Sequence, residues 1–182
     1  MGVTIDIACF EPTDRQGVIE LILPIQREKF GFAITLEDQP DLYAIPEFYQ
    51  TGRGDFWVAR KEGKVVGTVG LKDIGSSQAA LRKMFVAAPF RGPRFAVASR
   101  LLARLLTEAD NRGIRDIFLG TTDRFVAAHR FYEKNGFVEI AAGALPAGFP
   151  RMALDTKFYA TKFHAAKFHA AWPAGRTTHT AV

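Results

Sequence analysis

The chain has 182 residues, of which 48% are apolar and 24% charged, the balance of one soluble globular domain with room for a core. Its formal net charge of +5 suggests nucleic acid, but of the 24 Lys and Arg four (Lys157, Lys162, Lys167, Arg176) lie from 157 onward with no acid, leaving 20 bases against 19 acids before them. The excess charge belongs to the C-terminal end rather than to a basic face of the domain, so nucleic acid is not expected as a partner. The single cysteine, Cys9, excludes an internal disulfide and fits a reducing compartment. No run of eighteen apolar residues spans a membrane, and the start lacks the basic and apolar regions of a signal peptide, so a cytoplasmic protein is expected.

Residues 3–10, VTIDIACF, alternate loosely and are β-branched, which predicts a strand. Residues 17–30 have helical apolar spacing, with Pro24 bending or breaking the helix. The polar connection EDQPDL at 37–42 leads to a short helix through YAIPEFYQ. Residues 55–74 read as two strands joined at Glu62-Gly63, a hairpin signal, and LRKMFVA at 81–87 is another strand. Leu101, Leu102, Leu105, Leu106 and Ala109 mark one face of a helix that stops at Asn111-Arg112-Gly113. A buried-type strand follows at 114–120, then a helix at 121–136 with Thr122 or Asp123 as N-cap and Gly136 closing it. FVEI at 137–140 and MALDTKFY at 152–159 are two more strands, separated by a loop rich in Gly and Pro. The helix crossover between strands 81–87 and 114–120 implies a parallel pair inside an otherwise largely antiparallel sheet, with helices on both faces. The last stretch repeats with period five, KFYAT, KFHAA, KFHAA, matching neither strand nor helix. His164 and His169 share no helical face and have no acid or cysteine beside them, so no metal is expected.

"LRKMFVAAPFRG" before a leucine-rich helix, and "AAHRFYEKNGFVEI" some thirty residues after that loop, resemble the GNAT superfamily of acyl-CoA-dependent N-acyltransferases. The order of elements from 3 to about 159 is that family's order as well. The resemblance implies an α/β (α+β) fold, a mixed and mostly antiparallel sheet whose parallel pair splays to admit coenzyme A, over a domain at 1–160 with a tail at 161–182. It implies acetyl-CoA as cosubstrate. The amides of Phe85 and Val86 then lie nearest the pantetheine arm, one of them polarising the thioester carbonyl.

The family's pyrophosphate loop falls within Arg91, Gly92, Arg94, Phe95, Ala96, Val97 and Ala98, but two registers compete. Counted forward from the strand, Arg94 takes the place of the central glycine and Ala96 closes the loop. Counted backward from Leu101-Leu102, Ala96 and Ala98 are the small positions, in a loop two residues longer. Pro93 donates no N–H to such a cradle, and Arg91 or Arg94 can compensate with charge-assisted bonds to phosphate.

Tyr132 matches the tyrosine that protonates the departing thiolate, a role that suits a phenol whose pKa the site lowers modestly. Where the family often has an asparagine seven residues earlier, this chain has Phe125. Ala80 stands where several families place a carboxylate, so the base is open, with Glu28, Glu37, Asp38 and Asp123 as candidates. The acceptor pocket is expected from residues 24–49 and 141–150, lined by Phe30, Phe32, Tyr43, Phe48, Tyr49 and Phe149 and therefore apolar and aromatic.

The reading is an N-acetyltransferase acting directly on a primary amine of a small molecule, with no nucleic acid or membrane partner and a homodimer left open. The alternative is a CoA-binding sensor or interaction module that keeps the fold without turnover. The tail carries lysines with no acids to pair them. Its removal from residue 161 is expected to leave folding and acetyl-CoA binding unchanged, as read by thermal melts and calorimetric titration.

Overall fold

The computed structural model describes residues 4–31 and 33–162. Seven strands make one sheet: β1 (Asp6–Cys9), β2 (Asp55–Lys61), β3 (Lys64–Gly75), β4 (Gln78–Val86), β5 (Asp116–Thr121), β6 (Val138–Ile140) and β7 (Lys157–Lys162). Their spatial order is β1-β2-β3-β4-β5-β7-β6, and every neighbouring pair is antiparallel except β4 with β5. The helices are α1 (Arg15–Phe30), α2 (Pro40–Tyr43), α3 (Ile45–Tyr49), α4 (Val97–Asn111) and α5 (Val126–Lys134).

Strand alternation divides the core between the two faces of the sheet. On β2, Trp57 and Ala59 pack with the leucine face of α4 and with Tyr132 of α5. Phe56 and Val58, pointing the other way, pack with Val18, Ile22 and Ile25 of α1 and with Ile45 and Tyr49 of α3. Ala80, Phe118, Phe149 and Phe158 form a smaller cluster towards the C-terminal strands. Phe118 points opposite to its neighbours Ile117 and Leu119, which belong with α4, so this cluster lies on the face of α1.

Several boundaries differ from those expected, each for a local reason. α1 runs through Pro24, which sits on its exposed side, where water can serve the carbonyl left without an N–H. The hairpin at Glu62-Gly63 forms with φ of 49° and 78°. β4 starts three residues before the expected 81, because Ser76 and Ser77 also adopt positive φ (52° and 59°) and make a second tight hairpin without glycine at those places. α5 begins at Val126 with Phe125 as N-cap and no side-chain cap bond, so neither Thr122 nor Asp123 caps it. The expected strand at 152–159 is displaced: 152–156 is loop, and β7 pairs with β5 from Thr121↔Lys157 to Asp116↔Lys162. β7 therefore runs two residues past the expected boundary at 160, and a truncation that spares every described strand ends at Lys162. Residues 163–182, which hold the repeats and both histidines considered above, lie outside the described residues.

Candidate active site

β4 and β5 pair at only three positions, Gln78↔Asp116, Ala79↔Ile117 and Ala80↔Phe118. Beyond them β4 stays with β3 through Val86, and β5 stays with β7 through Thr121. The strands part, and each leaves an edge of backbone groups without a strand partner. A cleft of ≈830 Å³ occupies the gap, lined by residues 81–85 of β4, Gly120 and Thr121 of β5, Tyr132 of α5 and the loop before β7.

Backbone direction decides which β4 amides face the gap. Ala87 N–H bonds Val66 O on β3, and the Val86 carbonyl accepts Arg91 Nε at 2.8 Å rather than a β3 amide. By alternation Val86 and Met84 turn to the gap while Phe85 turns to β3, where it pairs with Thr68. Of the expected pair, the Val86 amide turns to the gap and the Phe85 amide to β3, while Phe85 is among the residues that line the cleft.

α4 opens at Val97, with Ala96 as N-cap in a left-handed conformation, φ 49°. Arg100 N–H makes the first intrahelical bond, to Ala96 O at 2.9 Å, so the amides of Val97, Ala98 and Ser99 precede the helical ladder. Val97 and Ala98 fall within the loop of the backward register, whose first small residue, Ala96, is the N-cap. Gly92, with φ 86°, turns the chain ahead of them, and Ala96 N–H closes onto Gly92 O at 3.1 Å. Arg94 stacks over the Phe95 ring at 5.0 Å, and Phe95 packs on Phe90 at 5.2 Å. Arg91 is committed in part to the end of β4, which leaves the exposed Arg94 as the cation standing before the helix.

Tyr132 is 7% exposed and lies among Phe131, Phe137 and Tyr159 while reaching the cleft. Burial alone pushes its phenol well up from the ordinary value, the opposite of the modest lowering expected. Phe125, the departure from the asparagine of the resembled family, also lines the cleft.

A β-bulge in β4 supplies what the sequence reading missed. Gly70 pairs with Arg82 and Thr68 with Phe85, so Val69 faces two residues, and Lys83 there takes φ 51°. A regular strand would send Arg82 and Lys83 to opposite faces. Here both reach one carboxylate, Asp41 Oδ2, at 3.8 and 3.4 Å. Asp41 also accepts the Tyr49 hydroxyl at 2.5 Å, and Lys83 Nζ donates to Gln39 Oε1 at 2.5 Å. Arg82 crosses to the loop before β7 through a 2.7 Å bond to Pro150 O. The Lys83 side chain is 3% exposed, and burial, helped by Arg82, pushes its pKa down to about 8 against the opposing pull of Asp41. Two charged residues in succession on a strand, Arg82-Lys83, were the available signal of the bulge.

The expected aromatic pocket is only partly present. Phe48 and Phe149 line the cleft, Tyr49 is wholly buried in the α1-side core, and Tyr43 is half exposed. Phe32 and the Phe30 side chain lie outside the described residues. Among the expected bases, Glu28, Glu37 and Asp123 are exposed, and the exposed Asp38 is engaged by the Thr35 amide and hydroxyl at 2.8 and 3.0 Å. The lining also holds Asp38, Asp41, Arg82, Lys83, Arg151 and Asp155, which set charged groups into a surface that is otherwise mostly apolar. Asp155 was assigned to a strand in the sequence; the displacement of β7 releases it to the cleft.

A sheet that opens between two parallel strands beside a helix N-terminus, with a tyrosine at the gap, defines an acyl-CoA transferase-like architecture. Residues 19–137 match the Acetyltransferase (GNAT) family, and the chain belongs to it. It is 36% identical over 102 residues to an N-acetylaspartate synthetase of Xenopus tropicalis, covering 55% of this chain and 37% of that protein. The curated relatives it matches are thus longer, and the chain spans roughly a third to a half of them. Among solved structures, a GNAT-family acetyltransferase of Staphylococcus aureus Mu50 superposes with a TM-score of 0.83 at 36% identity, over 87% of this chain and 99% of that one. The PaiA N-acetyltransferase of Thermoplasma acidophilum, solved with coenzyme A, shares the fold at 16% identity and a TM-score of 0.66, over 88% of this chain and 99% of that one.

The Lys83 pKa gives the fold a measurable pH dependence. A lysine at about 8 in the fold and 10.5 unfolded binds fewer protons in the native state across that interval. Stability should therefore rise with pH there, by about 1.4 kcal/mol per pH unit for one proton. Urea denaturation between pH 8 and 9.5 is expected to show this rise in the wild type and to lose it in Lys83→Met.

Proposed function

We infer that the chain transfers the acetyl group of acetyl-CoA directly to the primary amine of a small molecule. The observation that carries this reading is the loss of β4–β5 pairing after Ala80 and Phe118, beside the free amides of α4 and the hydroxyl-bearing side chain of Tyr132. The gap offers unpaired backbone to the pantetheine arm, the opening of α4 offers three amides and the positive end of a helix dipole to the pyrophosphate, and Val86 N–H suits the thioester oxygen.

In this reading Tyr132, which lines the cleft, protonates the leaving sulfur. A phenol held this firmly in its neutral form acts as a relay. It gives its hydrogen to sulfur as the C–S bond breaks and takes the proton that the acylated nitrogen sheds, so no buried tyrosinate persists. The charged lining bears on the acceptor. Lys83 on β4 and Asp155 beside β5 present opposite charges, which a zwitterionic amino acid satisfies at both ends and a polyamine at one. The relative named for N-acetylaspartate synthesis acts, by its name, on an amino acid, which supports the same direction. A cytoplasmic setting is part of this reading, since acetyl-CoA and a single unpaired cysteine both suit it.

The test is acetyl-CoA with a panel of amino acids, including aspartate, and polyamines, following release of free thiol. Thiol release that depends on an amine supports the reading, and tight CoA binding without turnover overturns it. Tyr132→Phe is expected to lower kcat by about 10²- to 10⁴-fold with CoA affinity nearly unchanged. Ala98→Glu, which puts bulk and negative charge in the first turn of α4, should weaken CoA at least about tenfold, or ~1.4 kcal/mol. Arg94→Ala should cost less, about 0.5–1 kcal/mol for a solvated contact. Calorimetric titration of variants with unchanged melts reads both.

A further inference from the structure

Acetyl transfer to an amine needs a base, because the acceptor arrives as an ammonium with no lone pair. Of the four carboxylates open from sequence, Asp38 alone lines the cleft, exposed and with Oδ2 already engaged. Asp38 is turned back onto Thr35, and Glu28, Glu37 and Asp123 stand in solvent. Asp41 lines the cleft but is taken by Tyr49, Arg82 and Lys83. Lys83 is held as a donor by Gln39 and Asp41, so its nitrogen has no lone pair aimed at a substrate.

Asp155 differs from all of these. It ends a tight turn closed twice, by Asp155 N–H to Met152 O at 3.1 Å and by Met152 N–H to Asp155 Oδ2 at 3.0 Å. The next residue ties the turn to β5 through Thr156 N–H to Thr121 O at 2.9 Å. Oδ1 accepts no hydrogen bond from the described residues. The carboxylate rests directly on the β5 backbone at Gly120, two residues past the last pair with β4: a Cβ at Gly120 would lie 2.5 Å from Oδ2 and 2.6 Å from Cγ. Only glycine leaves that room.

The two sides of the sheet then divide the work. Gly120 shares its face with Phe118, so Asp155 stands on the α1 face, with Phe149 and the Arg82–Asp41 cluster. Tyr132 stands on the other face, packed with Leu119 and α4. Both line the one cleft, which passes between the parted strands.

We propose that Asp155 is the general base: its carboxylate receives the ammonium end of the acceptor and takes one proton from the nitrogen. The assignment rests on the transfer reading given above. An N–H bond breaks and an O–H bond forms on Asp155. The freed lone pair makes the C–N bond as the C–S bond breaks, the second nitrogen proton reaches sulfur through Tyr132, and Asp155 returns its proton to water. The sum is ammonium plus thioester giving amide, free thiol and one proton. The charged groups that face Asp155 are Arg82 and Lys83 from β4 and Arg151 from its own loop, while Gly120 and Thr121 of β5 bring no charge. Burial nonetheless lifts the carboxyl above the ordinary aspartate value, which strengthens it as a base.

The experiment is Asp155→Asn in the full chain, with an amine that the wild type acetylates. Asparagine keeps the size and the oxygen that accepts Met152 N–H. At pH 7 kcat/KM is expected to fall about 10²- to 10⁴-fold, with CoA affinity unchanged and a melting midpoint that is not lowered. The variant's log kcat/KM should climb one unit per pH unit towards the amine's own pKa, and its deficit should shrink for weakly basic amines that arrive neutral. A variant within threefold of wild type, or one whose loss is matched by weaker CoA binding or a lower midpoint, overturns the assignment. Wild-type protein that binds acetyl-CoA and releases no thiol with any amine overturns the transfer reading, and this assignment with it.

Discussion

Past Ala80 and Phe118 the backbone edges of β4 and β5 have no strand partner, and the rest of the site depends on keeping them apart. Two facing edges in a sheet would ordinarily pair, since each unpaired buried N–H or C=O costs about 1–3 kcal/mol. Here each strand is held by something else. The bulge at Lys83 bends β4 away, and its carbonyl is taken by Thr68 Oγ1 at 2.7 Å. β5 is retained by β7 along its whole length, and Arg91 occupies the Val86 carbonyl at the far end of β4.

The same bulge links strand geometry to charge. A left-handed backbone at a lysine costs roughly 1–3 kcal/mol and needs surroundings that overdetermine it. Asp41, Gln39 and Gln26 provide them: Gln26 and Gln39 exchange two hydrogen bonds of 2.9 and 2.6 Å, which orients the Gln39 oxygen towards Lys83. A connection between two helices thus stabilises a distorted strand, and the distorted strand brings two cations to one face of the cleft.

Most of the architecture could be read in the sequence, and the site only in part. The seven strands and the helices on both faces carry strong periodic signals, from the leucine face of α4 to the alternation of β2. The tyrosine helix and the loop before α4 were legible for the same reason: their residues are close in sequence. Lys83 and Asp155 were not. The position of Lys83 depends on a one-residue slip against β3, and that of Asp155 on where β7 begins, both settled by pairing between distant segments. Phe85 was placed in the right strand and on the wrong edge, since a single residue of register decides which amide faces the gap.

The bond from Arg82 to Pro150 O joins the strand beside the gap to the loop that walls the cleft. The same guanidinium also meets Asp41, the Tyr49 hydroxyl and the Phe48 ring. One guanidinium therefore ties the wall of the cleft to the Asp41 cluster. The latch on that wall is a charge-assisted one, donated by a cation that also answers to a buried carboxylate.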